Sequence, residues 1–263
     1  MQNSIISWVG GKRLLRSKII PLIPPHATFV EVFGGAGWVL FGKSPDKKAW
    51  GCTGKAMPYT EVYNDINGEL VNFWRQVKHH PESLAAEINR ELVSREVFDE
   101  YMKTEPTTEL GRAVRFYYLL GCSYGSQSKN FCINRGYRYL PLRNPDKLLK
   151  ASERLRHVII ERKKWQDLIS RYDSETTLFY LDPPYYDHER LYKRDDAEAF
   201  NEHEELARAL MKIKGKFILS YNDCKEIRHL YAGAQITEVT ATYSVSGKWS
   251  TETELIITQR SLP

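Results

Sequence analysis

Cysteine is scarce in this 263-residue chain: Cys52, Cys122, Cys132 and Cys224 are the four, and no two of them form a CxxC pair. That excludes a disulfide-stapled scaffold and the common zinc and redox motifs. The histidines show no HxxxH spacing, so a metal-free protein is expected. No apolar run reaches the roughly 18–20 residues of a membrane span. The opening Met1-Gln2-Asn3-Ser4 lacks the basic and apolar regions of a signal peptide. Together these absences predict a reduced, cytoplasmic protein with no membrane partner. Internal repeats and low-complexity stretches are also missing. A hydrophobic content of 42% is enough for one globular domain carrying an inserted subdomain.

Acidic residues are rare in one region. Between Lys129 and Lys164, eleven Lys or Arg face only Asp146, Glu153 and Glu161, whereas the rest of the chain is net negative. The overall +5 is therefore regional, and a localised basic patch is the footprint of phosphate-backbone binding. A merely solvated face is the plainer explanation of a charge run. This run also holds Phe131, Tyr137 and Tyr139, and Asn130, Asn134 and Asn144. Bases stack on such rings, and such amides read base edges, so nucleic-acid binding is favoured.

Asp182-Pro183-Pro184-Tyr185 is the most informative stretch. It follows the apolar run Thr177–Leu181, which reads as a buried strand. The prolines cannot donate ladder hydrogen bonds, so the strand ends there. A carboxylate, free carbonyl acceptors and a ring at a strand's C-terminal end suit a planar group bearing an amine, such as a nucleobase. A plain turn is the alternative, since Asp and Pro are ordinary turn residues.

Two glycine-rich segments precede it. Ser7-Trp8-Val9-Gly10-Gly11-Lys12-Arg13 leads into a predicted helix over 14–20, but Ile6 and Arg13 stand where a P-loop needs Gly and Ser or Thr. Thr28–Gly37 reads as a strand, a glycine turn and then an apolar helix over 38–41. Leu40 occupies the third glycine position of the dinucleotide pattern, so GxGxxG fails too. Glycines after a first strand still let backbone approach a ligand closely. A second strand, Glu61–Tyr63, ends in Asn64-Asp65 after a polar insert spanning 43–60. Asp65 is placed either to accept hydrogen bonds from ribose hydroxyls or to cap a helix over 68–77. The ribose role is favoured.

Beyond this β-α-β beginning, residues 70–120 are expected to be helical. Leu84, Ile88 and Leu92, then Ala113, Phe116, Tyr117 and Leu120, recur at helical spacing, with Pro106 separating two helices. A short hairpin is expected from 131–133 and 137–139, then a helix over 147–155. Strands follow at 158–160, 178–181 and 217–221, with a helix over 202–213 and a closing hairpin of 235–243 with 254–258. The alternation predicts an α/β sheet.

The ordered set Trp8…Gly10-Gly11-Lys12, Phe29–Gly37, Asn64-Asp65, Asp182–Tyr185, Lys216–Asp223 and Glu254–Thr258 resembles the Dam-type, α-class (D12) N6-adenine DNA methyltransferases. The resemblance implies a Rossmann-like core in two parts, 1–70 and 166–263. Between them, at 71–165, would lie a mainly helical target-recognition subdomain with a β-hairpin. It implies S-adenosyl-L-methionine as cofactor, double-stranded DNA as partner and a flipped adenine as substrate, in a monomer or weak dimer, with a cognate restriction endonuclease as a further partner. Asp182, Pro183, Pro184 and Tyr185 would be catalytic, with Asp182 and the Pro183 carbonyl accepting from the amine and Tyr185 stacking. The cofactor residues would be Trp8, Gly10, Gly11, Lys12, Glu31, Phe33, Gly35, Gly37, Asp65 and Asp182. Lys12 would meet the amino-acid end, together with backbone amides after Phe33. DNA contacts would come from Ser126, Gln127, Lys129, Asn130, Arg135, Tyr137 and Arg138. Ser220, Tyr221 and Asn222 would line the pocket, while His203 would cap or pack at its helix rather than act as a base. Two other readings stand beside this one: methylation of cytosine N4 or RNA in the same pocket, and a DNA-binding module with a decayed cofactor site.

Overall fold

The computed structural model describes residues 2–8, 10–53, 58–123, 128–132, 145–187, 200–245 and 248–260. One seven-stranded sheet organises them: β1 (Thr28–Glu31), β2 (Thr60–Asn64), β3 (Val158–Glu161), β4 (Thr177–Leu181), β5 (Lys216–Asn222), β6 (Gln235–Val245) and β7 (Lys248–Thr258). Its spatial order is β3-β2-β1-β4-β5-β7-β6. The first five strands run parallel, and β7 pairs antiparallel with both β5 and β6.

Parallel strands are covered on both faces, and their sequences read as continuous apolar runs. TLFYL in β4 is buried throughout. Alternate side chains point to opposite faces, and the core divides accordingly. Phe29, Tyr63, Leu178, Tyr180, Ile218 and Ile256 join the cluster formed with α1 (Arg16–Ile19), α2 (Trp38–Gly42), α3 (Gly68–His79), α4 (Pro81–Arg90), α5 (Arg95–Lys103), α6 (Glu109–Gly121) and α7 (Pro145–Leu155). Val30, Val62, Phe179, Leu181, Leu219 and Leu255 join the second cluster, with α8 (Trp165–Tyr172), α9 (His203–Leu210) and α10 (Lys225–Leu230). The result is a three-layer α/β/α arrangement, the Rossmann-like core expected from the strand-helix alternation.

Several expectations are refined by packing. The helix holding Leu84 and Ile88 stops at Arg90, and Leu92 is 70% exposed. A helix not anticipated in the sequence, α8, buries Trp165, Leu168 and Ile169. β3 and the preceding α7 fall within 71–165, yet β3 is the edge strand of the core sheet and α7 packs on α3 and α4. Phe131 forms an isolated bridge with Ser123 and meets the Phe98 ring edge-on at 5.5 Å. Cys132 N donates to Cys122 O at 2.8 Å, and the expected hairpin residues 133 and 137–139 lie outside the described residues.

The described residues of the polar insert are mostly exposed or half-buried, but Lys43 at its start joins a buried charge network with Glu61 of β2. Lys43 and Glu61 are buried, with Lys43 Nζ 2.6 Å from Glu61 Oε1. Arg154 closes the group, its two guanidinium nitrogens 2.6 and 2.9 Å from the Glu61 carboxylate, and it donates to the Leu40 carbonyl. Arg154 therefore leaves the basic patch in which its sequence position had placed it, being only 8% exposed. Burial pushes the Glu61 carboxyl up, but Lys43 and Arg154 outweigh it and hold it below the ordinary range.

Candidate active site

The strand order reverses between β1 and β4, and a crevice opens beyond the carboxyl ends of strands at such a switch point. Glu31 pairs with Tyr180, and Val32 N donates to Tyr180 O at 2.9 Å. The glycine turn after β1 and the Asp182 loop after β4 therefore leave the sheet side by side.

The turn is packed tightly enough to demand glycine. A Cβ on Gly34 would lie 2.3 Å from the Tyr63 ring and 2.8 Å from the Asn64 carbonyl. Gly35 has φ +50°, and a Cβ there would lie 2.8 Å from Trp8 Cδ1. The half-buried Trp8 indole thus lies against the turn on one side and near Phe116 on the other, with ring centroids 6.0 Å apart. Gly34 N donates to Asn64 O, Gly35 N to Asp65 Oδ2 at 2.9 Å and Gly37 N to Gly34 O. The amides of these glycines after Phe33 are therefore spent within the protein.

Asp65 acts as a strut between the turn and the β2 exit, since its Oδ1 also accepts from Asn67 N at 2.8 Å. The cap of α3 is Asn67, whose side chain accepts from Glu69 N and Leu70 N. Asp65 is not the cap, which leaves its half-exposed carboxylate at the strand end. Phe33 is half-exposed and meets Phe200 edge-on at 5.6 Å. Glu31 lies beneath the turn, 2% exposed, and accepts from Leu40 N at 2.9 Å. Burial pushes its carboxyl up to about 8, with the Leu40 amide opposing. A raised acid binds its proton more tightly when folded, so it subtracts stability as pH rises from the ordinary carboxyl range through about 8. Thermal melts of wild type and Glu31→Gln are expected to shift in favour of the variant over that rise; parallel profiles would contradict the assignment.

Across the crevice, period-two alternation puts Tyr180, Asp182, Ser220 and Glu254 on the face shared with Lys12. Lys12 is 4% exposed, and a buried ammonium needs a partner. It has two: Asp182 Oδ1 at 2.8 Å and the Gly10 carbonyl at 2.8 Å. Ser220 Oγ donates to the same Asp182 oxygen at 2.9 Å, so no described residue hydrogen-bonds to Oδ2. The Asp182 side chain keeps 17% of its surface open. Burial pushes its carboxyl up, opposed by Lys12 and Ser220. Lys12 also lies over the Tyr185 ring, 4.6 Å from its centroid, and Tyr185 Oη donates to Glu254 Oε2 at 2.6 Å. Lys12 thus meets the Asp182 motif, a pairing that spacing did not reveal, and Glu254 is a site residue missed as an individual. The signal for Glu254 was a lone acid opening an otherwise apolar strand segment.

Asn222 clamps the loop by accepting from Tyr186 N and donating to Tyr186 O. His203 is buried against Tyr221, Nδ1 to Oη 2.6 Å, and edge-on to Phe200, which is the packing role expected. Among the DNA-contact candidates, Lys129 and Asn130 are exposed. Ser126, Gln127, Arg135, Tyr137 and Arg138 lie outside the described residues. Among the described residues no group of three or more His, Cys, Asp or Glu is arranged to hold a metal, and no helix is long and apolar enough to cross a membrane.

The chain is 28% identical over 285 residues to the type II methyltransferase M1.LlaDCHI of Lactococcus lactis subsp. cremoris, covering 95% of this chain and 93% of that protein. It is 24% identical to a DNA adenine methylase of Vibrio cholerae, covering 93% and 90%. It is also 24% identical to the type II methyltransferase M.CviBI of Paramecium bursaria Chlorella virus NC1A, covering 91% and 90%. The family model for D12 class N6 adenine-specific DNA methyltransferases matches residues 8–245, a span that takes in the turn, the crevice and the Asp182 loop. The chain belongs to the D12 class of N6 adenine-specific DNA methyltransferases.

Proposed function

We propose that the Asp182–Tyr185 loop receives an adenine turned out of duplex DNA, and that the Trp8, Phe33 and Asp65 side of the crevice holds S-adenosyl-L-methionine. The observation that carries this reading is the division of labour at Asp182: Oδ1 is held by Lys12 and Ser220, while Oδ2 keeps its acceptor capacity. The donor set fits the cofactor. Half-exposed Trp8 and Phe33 offer apolar ring surface, and Asp65 offers a carboxylate for hydroxyl groups at the second strand's end. When bound, S-adenosyl-L-methionine supplies an electrophilic sulfonium methyl and leaves as a neutral thioether.

The chain's own residues do the positioning. Turning the base out costs a few kcal/mol of stacking and pairing, offset in part by stacking on Tyr185. Asp182 Oδ2 and the Pro183 carbonyl accept the two N6 hydrogens, which favours a pyramidal, nucleophilic nitrogen and holds it at attack distance. Lys12 supports the ionised, acceptor-only form of Asp182. The amine's proton departs after transfer, so no strong general base is required, and His203 is engaged with Tyr221.

Labelled methyl transfer to unmethylated genomic DNA, followed by nucleoside mass spectrometry and position mapping, tests the reading. N6-methyladenine in one sequence context is the expected product. N4-methylcytosine, or label only in RNA, would overturn the adenine pocket; failure to bind S-adenosyl-L-methionine in solution would mark a decayed cofactor site. The basic segment is proposed to hold the DNA backbone, with Arg138 among its contacts. Arg138→Ala is expected to weaken duplex binding and lower the salt slope by about 1. An unchanged affinity and slope would remove Arg138 from the interface.

A further inference from the structure

Glu254 opens the apolar run Leu255–Ile257 on β7, a strand inside the sheet, and is 1% exposed. A carboxyl at such a position is costly unless partnered. Its Oε2 accepts from the Tyr185 hydroxyl at 2.6 Å, and its Oε1 is buried with no hydrogen-bond partner among the described residues. The register places Glu254 opposite Asn222, the residue that clamps the backbone of Tyr186. Adjacent strands therefore grip consecutive loop residues, one by its backbone and one by its hydroxyl. Lys12 lies over the ring between these grips. Tyr185 Oη lies on the axis of the second side-chain torsion, so the tether fixes the swing of the ring through the first torsion, while Lys12 packs against its face.

We infer that Glu254 is a positioning residue for methyl transfer: by holding the Tyr185 hydroxyl it sets where the ring on which the target base stacks lies beside Asp182. The inference rests on the reading that Tyr185 stacks on that base. Glu254 acts through Tyr185 and does not touch the reacting atoms. Burial pushes its carboxyl up, with Lys12 and Tyr185 opposing and Asp182 adding to the rise. Glutamine keeps, in a side chain of the same shape, an oxygen that can accept from the Tyr185 hydroxyl, and alanine does not.

The test uses the full chain and four variants, Tyr185→Phe, Tyr185→Ala, Glu254→Ala and Glu254→Gln, with the Phe/Ala double variant. Methyl transfer from labelled S-adenosyl-L-methionine to duplex DNA is read as kcat and KM, together with thermal melting. Tyr185→Phe and Glu254→Ala are each expected to lower kcat about 10- to 100-fold with little change in KM. The double variant is expected to be no worse than either single one, and Glu254→Gln to recover most of the loss. A wild-type rate in Tyr185→Phe overturns the inference, because the hydroxyl tether is then idle. Additive losses in the double variant overturn it too, since Glu254 would then act by another route. Tyr185→Phe and Glu254→Gln decide the matter even if Glu254→Ala fails to fold. A wild-type rate in Tyr185→Ala would instead refute the stacking role of Tyr185 itself.

Discussion

Asp182→Ala is expected to lose about 10³-fold in methyl transfer at saturating cofactor and DNA, while duplex binding by the basic segment persists. Asp182→Asn is expected to fall almost as far. Asparagine can keep an acceptor at the position held by Lys12 and Ser220, but it then turns an NH2 group toward the site now served by Oδ2. A donor would face the donor hydrogens of the adenine amine, and the hydrogen bond that prepares the nitrogen would be lost. The pair of variants separates two roles. Loss in Ala with a normal rate in Asn would mean that Asp182 serves only as the partner of Lys12. Near-normal methylation in both would refute the catalytic assignment. A filter-binding measurement on the same preparations checks that DNA affinity survives.

The second large effect concerns stability. Arg154→Ala would leave Glu61 and Lys43 buried without the guanidinium that spans Glu61 and the Leu40 carbonyl. Breaking a buried ion pair by removing one partner costs about 3–5 kcal/mol. For a chain of this size that corresponds to a fall of about 10 °C in melting temperature. The pH dependence follows from the lowered carboxyl of Glu61. A carboxyl depressed by folding contributes stability above its unfolded value, and that stability is lost as pH falls through the folded one. The gap between wild type and Arg154→Ala is therefore expected to close on acidification below the ordinary carboxyl range. A variant melting within 2–3 °C of wild type at neutral pH, roughly 1 kcal/mol, would show that the network is not needed for the fold. α7 carries Arg154 and follows the segment proposed to bind DNA, and Leu40 lies in the helix after the glycine turn. The same bonds thus tie α7 to α2.

Local pattern and tertiary context contributed differently. Parallel strands are buried on both faces, so β1, β4 and β5 were legible as apolar runs. The glycine turn and Asp182–Tyr185 were legible because turn-forming residues directly follow those runs. α8 was missed although Trp165, Leu168, Ile169 and Tyr172 stand at helical spacing, because the run is short and flanked by charge. The cap that was the alternative role for Asp65 belongs to Asn67, since residues 65–67 separate the end of β2 from α3. Whether Lys43 at the start of the polar insert faces solvent or joins a buried charge network is decided by residues far away, by Glu61 and by Arg154, 93 positions beyond Glu61.

By itself, then, the sequence determined the α/β class, the order of the motifs and the family they resemble, because strand burial, turn chemistry and charge clustering are written in neighbouring residues. The tertiary structure alone decided which charges leave the surface and which side chains meet. It took Arg154 out of the basic run, brought Lys12 onto Asp182 and joined Tyr185 to Glu254 across 69 residues. The physical reason is that a hydrogen bond or ion pair acts over about 3 Å. Strand register and the switch in strand order, set by the packing of the whole sheet, fix which distant residues come that close.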